Sequence, residues 1–101
     1  MVRHVILWTL KEQESPEKLE EVKAGIKANL EGLKGQIPGL LDIHVYTDKL
    51  PSSNADVMLD TSFADAESLK GYSVNPLHVN VANTFVRPFT ATRTCLDFEV
   101  K

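Results

Sequence analysis

At 101 residues, with 43% apolar and 25% charged side chains, the chain has the length and composition of one folded domain spanning 1–101. A net charge of −3 and a pI near 5.5 argue against the basic face that non-specific nucleic-acid binding needs. No apolar run approaches the ~18 residues of a membrane helix. The single cysteine, Cys95, rules out an internal disulfide framework and fits a reduced, cytoplasmic setting.

The opening "VRHVILWTL" (2–10) is apolar, β-branched and aromatic, so it reads as a strand rather than a signal peptide. Its apolar residues fall on both faces: His4, Ile6 and Trp8 on one, Val5 and Leu7 on the other. Ser15-Pro16 then opens a helix, with serine as N-cap and proline in the first turn. Leu19, Val22, Ile26, Leu30, Leu33 and Ile37 step by three or four and form one apolar stripe. Pro38-Gly39 marks its end. Residues 40–50 read as a second strand, Pro51 to Asn54 as a turn, and 55–63 as a third strand. Asp65 caps a short helix over 66–72. Asn75-Pro76 breaks the chain and caps another helix that runs toward Pro88. Residues 90–100 read as the last strand.

Strand, helix, strand, strand, broken helix, strand is the split βαβ order of an α+β, ferredoxin-like fold with an antiparallel sheet. Helices cover one face of such a sheet. His4, Ile6 and Trp8 are assigned to the other face, covered by a second copy. The expected assembly is a homodimer packed sheet to sheet around a shared interior. A domain this short buries only roughly two-thirds of its unfolded surface, so a partner copy adds stability.

The opening "RHVILWTL", "IPGL" after the first helix, "FADAESLKGY", "NPLHV" and the closing "RTCLDFE" occur in order along nearly the whole chain. With them the sequence resembles the stress-responsive A/B barrel (Dabb, dimeric α+β barrel) family. The resemblance implies a ferredoxin-like protomer, a homodimeric barrel and, in some plant members, larger oligomers. It implies function less directly. One branch holds a cofactor-free polyketide cyclase that makes olivetolic acid. That branch's catalytic tyrosine and histidine match Tyr72 and His78. Its cavity histidine on the first strand matches His4, and its last-strand aspartate matches Asp97. The histidine before the family's proline is Asn75 here, a tyrosine of the first helix is Leu30, and bulky aromatic wall positions are Val81 and Phe89. A pocket built on these residues differs in shape, so the cyclase's own substrate does not transfer.

The residues themselves carry a matching chemistry. His78 falls at the third position of the helix capped by Asn75, where free backbone N–H groups disfavour imidazolium. A neutral imidazole is what a general base needs. Tyr72 could donate a hydrogen bond to a carbonyl that becomes an enolate. The structural alternative is that His78 braces the helix break while Tyr72 packs as a wall. Asp97 alternates with Cys95 and Arg93 on one face of the last strand. That strand neighbours the first, so an Asp97–His4 contact is expected, either orienting the histidine or fixing strand register. Ile6, Trp8, Leu59, Val81 and Phe89 complete the expected cavity wall. His44 reads as interfacial or exposed on an edge strand. Cys95 reads as an inert core residue.

No metal-ligand spacing, Gly-rich phosphate loop or cofactor motif is present. Two functions remain open. One is a barrel that binds a small hydrophobic or carbonyl-containing molecule, with acid–base chemistry of the cyclase kind or oxygenation as in other dimeric barrels. The other is a non-enzymatic stress or assembly protein whose barrel is a dimerisation device.

Overall fold

β1 (Val2–Leu10) is a central strand, paired antiparallel with β3 (Val57–Phe63) on one side and β4 (Thr90–Glu99) on the other. The computed structural model describes residues 1–101. β2 (Leu40–Tyr46) pairs with β3, so the sheet order is β2-β3-β1-β4 and both β2 and β4 are edges. The β1–β4 pairing sets His4 opposite Asp97, Ile6 opposite Cys95 and Trp8 opposite Arg93. Residues directly opposite one another share a face.

α1 (Pro16–Glu31) starts where the sequence places it: the Ser15 side chain accepts a hydrogen bond from the Lys18 amide at 3.1 Å. It ends earlier than the stripe suggests. Residues after Gly32 run through turns that still bury Leu33 and Ile37. Gly39 (φ +78°) then reverses the chain into β2. A Cβ there would lie 2.1 Å from the Ser68 Oγ, so the glycine also lets α2 (Ala66–Val74) approach this turn.

α2 is capped by Asp65, whose side chain accepts from the Ser68 amide at 2.8 Å. Asn75 sits in extended backbone and caps α3 (Pro76–Val81), its Oδ1 accepting from the Leu77 amide at 2.9 Å. Pro76 excludes the helical conformation at the residue before it, so the break is dictated locally. A π turn at Ala82–Val86 and a 3₁₀ turn at Arg87–Phe89 lead into β4.

The helices lie on the sheet face that carries His4, Ile6 and Trp8, and all three are buried there. This reverses the assignment made from the sequence. β1 is apolar on both faces, and alternation alone does not say which face the helices take. The core of Ile26, Leu30, Val45, Leu59, Phe63 and Tyr72 fills the layer between helices and sheet. The opposite face presents Leu7, Tyr46, Leu96 and Phe98, each 41–62% exposed. On that face Arg3 is clamped by Asp60 through contacts of 2.5–3.1 Å.

Candidate functional site

The Asn75-Pro76 break folds α3 back so that the His78 ring stacks on the Tyr72 ring, centroids 4.0 Å apart and planes tilted by 33°. Phe63 meets Tyr72 edge-on at 5.0 Å, and His4 does so at 6.2 Å. These rings stand beside a cavity of about 330 Å³ between the helices and the sheet. His4, Ile6, Trp8 and Leu59 form its sheet wall; Tyr72, Ser73 and His78 its α2–α3 wall; Leu30 reaches it from α1. The π turn contributes Ala82 and Val86, and Arg87, Thr90 and Arg93 complete the lining. Isolated π turns recur at functional sites because one extra residue in the turn re-aims the chain that follows.

Two polar atoms in this wall, the Tyr72 hydroxyl and His78 Nδ1, are buried without a hydrogen-bond partner in the protein. Buried polar groups are nearly always paired, and an unpaired one costs about 1–3 kcal/mol. Burial holds the Tyr72 phenol protonated well above the ordinary tyrosine range. Burial also lowers the His78 pKa, helped by the positive charges of Arg87 and Arg93. The Ser73 backbone carbonyl pulls the other way, more strongly than any single one of those charges, and burial outweighs it. His78 is thus a neutral imidazole beside a protonated phenol. The leading cause is burial rather than the helix N-terminus.

Behind this pair, His4 Nδ1 bonds the Asp97 carboxylate, the contact expected from adjacent strands. Nδ1 is thereby occupied, and Nε2 is the other polar atom of this cavity-lining ring. The His4 carbonyl accepts from Thr61 Oγ1 at 2.7 Å, which fixes the strand beneath the ring. Cys95 is exposed, not a core residue as expected, because β4 is an edge strand with no layer over it. Its Sγ lies 3.7 Å from His4 Nδ1 and 3.4 Å from Asp97 Oδ1. Burial and the Asp97 carboxylate both raise the Cys95 thiol pKa. His4, Cys95 and Asp97 offer three donor atoms within 4.8 Å of one another, a set that a thiophilic cation could use. Chain spacing conceals it, since it forms only across the β1–β4 ladder.

Several expected wall residues lie elsewhere. Val81 is buried in the core but does not line the cavity, and Phe89 packs over α1 beside Phe85. The π turn rotates the chain between them and the cavity, so Ala82 and Val86 take the wall instead. Asp97 supports His4 from outside the lining. His44 is exposed on β2 and bonded to Asp42 at 2.9 Å. Arg87, Ser73 and Thr90 escaped the sequence reading because they flank turns whose geometry has no simple period.

The family model for the Stress Responsive A/B Barrel Domain matches residues 2–100. A dimeric ferredoxin-like protein from Bacteroides fragilis superposes with TM-score 0.89 at 24% identity, covering 98% of this chain and 95% of the other. A dimeric ferredoxin-like protein from Thermobifida fusca gives 0.78 at 22%, covering 98% and 90%. Hydroxynitrile lyase from Passiflora edulis gives 0.77 at 18%, covering 99% and 93%. At these identities the likeness shows the fold alone. No curated protein matches the chain by sequence. No helix is long and apolar enough to cross a membrane.

Proposed function

The chain belongs to the stress-responsive A/B barrel family, and from that premise we propose a homodimer that binds a small carbonyl-containing molecule in the cavity of each protomer. His78 takes a proton from the carbon next to the carbonyl. The electron pair moves onto the carbonyl oxygen, and the Tyr72 hydroxyl donates a hydrogen bond to the resulting oxyanion. The same enolate serves cyclisation, isomerisation or a lyase step. The His4–Asp97 pair orients the opposite wall. That a Passiflora protein of this fold is a lyase agrees with the scaffold's capacity for such chemistry, as analogy only.

One observation carries this reading: Tyr72 and His78 stack on each other in the cavity wall, and Tyr72 Oη and His78 Nδ1 are buried and unpaired within the protein. A domain that needed only a packed interior would place phenylalanine and leucine there. A cavity of 330 Å³ is at the small end of ligand pockets, which suits one aromatic ring or a short chain. The homodimer rests on the exposed apolar outer face and on the dimeric relatives.

Co-crystallisation with a panel of small phenols and aryl ketones tests the proposal. The expected result is a ligand oxygen within hydrogen-bond reach of both Tyr72 Oη and His78, with affinity lost in Tyr72→Phe. A cavity that stays empty across the panel would leave the second reading, a dimerisation device, which the apolar outer face favours on its own.

A further inference from the structure

The chain has three arginines, and they divide sharply. Arg3 is clamped by Asp60 on the outer sheet face. Arg87 and Arg93 both line the cavity, and neither lies within ion-pair distance of any carboxylate. Arg87 spends one N–H on the Asn83 side chain and keeps the rest of its fork free. Although the chain has 14 acidic residues against 11 basic ones, no acidic side chain lines the cavity. The nearest acid in the wall's own network, Asp97, is turned to His4. The cavity is therefore a positive region in an acidic protein, next to two buried polar atoms that lack partners.

We infer that the ligand is an anion: a small molecule with a carboxylate for Arg87 and Arg93 and a carbonyl for Tyr72 and His78. This deepens the function proposed above and rests on it. A planar guanidinium matches a carboxylate by paired N–H···O bonds, and both gain strength next to an apolar wall such as Ile6 and Trp8. The positive charge also has a kinetic use, since it draws an anion toward a protein that otherwise repels it. A neutral ketone of the same size forms no ion pair with either guanidinium.

The test compares 4-acetylbenzoate with 4-acetylbenzamide, which share shape and carbonyl and differ in charge. Binding is measured by calorimetry and by the ring signals of His78 in NMR. The expected result is that the wild type prefers the carboxylate by on the order of tenfold or more. Raising the salt weakens the carboxylate and leaves the amide unchanged. Arg87→Gln with Arg93→Gln removes the preference, while Tyr72→Phe weakens both probes alike. Both arginines are exposed, so near-UV circular dichroism of the double variant should match the wild type. Equal affinities for the two probes, unchanged in the double variant, would overturn the anion inference and leave the carbonyl-binding cavity standing. Binding of neither probe, with no shift at His78, would bring down both.

Discussion

The two faces of the sheet carry β1 in the same way and finish in opposite states. On the helix side, His4, Ile6 and Trp8 are buried at 4–6% exposure, under a layer that this chain supplies itself. On the other side, Leu7 and its neighbours Leu96, Phe98 and Tyr46 stay 41–62% exposed. The covered face contains a cavity and two unpaired polar atoms, a loss of stability that packing could have avoided. The uncovered face combines exposed apolar side chains with the polar pairs Arg3–Asp60 and His44–Asp42, the mixed make-up of a protein interface. The comparison separates two tasks. The proposed ligand site belongs to the inner face and the proposed contact with a second copy to the outer one.

The largest expected effect breaks the outer face. Leu7→Asp with Leu96→Asp removes two leucines from the proposed interface and should cost on the order of 3–6 kcal/mol of association. Light scattering should show a monomer for the variant and a dimer for the wild type. If the outer face is simply solvated, the same double substitution leaves mass and stability nearly unchanged.

The inner face is sharpened next. Phe63 is fully buried against Tyr72, and Phe63→Ala should cost about 3–5 kcal/mol in chemical denaturation. A similar loss on the outer face, from Phe98→Ala in a protein held monomeric, is not expected, because Phe98 is 41% exposed there. Gly39→Ala should cost somewhat less, roughly 1–3 kcal/mol, from a positive φ and from the clash with Ser68. That clash would lift the first turn of α2 off the sheet and loosen the Tyr72 wall.

The smallest effect is in pH dependence. His78 has its folded pKa below the ordinary 6.5, chiefly through burial. Below that value the unfolded chain binds a proton that the folded chain resists. Stability therefore falls as pH drops through 6.5 toward the folded pKa, and is fully regained above it. Thermal melts of the wild type and His78→Gln across this window should differ in slope, with the variant flatter. Identical slopes would mean that His78 is as hydrated as a surface histidine.

Much of this architecture was legible in the sequence. Ser15, Asp65 and Asn75 cap the helices they announce, because a cap is a local hydrogen bond that depends on few neighbours. The His4–Asp97 contact followed from strand order alone. What escaped was set at longer range. β1 is apolar on both faces, so its pattern could not say which face the helices would take. The stripe on α1 continued through Leu33 and Ile37 although the helix stops at Glu31, because turns can bury residues as well as helices do. Val81 and Phe89 left the expected wall at a π turn, which has no sequence period to betray it. Arg87 and Arg93 gained meaning only once the fold set them beside one cavity without acids.

The central claim is that Tyr72 keeps its hydroxyl for a ligand and not for the fold. Equilibrium unfolding of Tyr72→Phe tests it most directly. With no partner in the protein, the buried hydroxyl costs stability, so the variant should gain about 1–3 kcal/mol. A loss of more than about 1 kcal/mol would show that the hydroxyl is a structural hydrogen-bonding group, and would contradict the account.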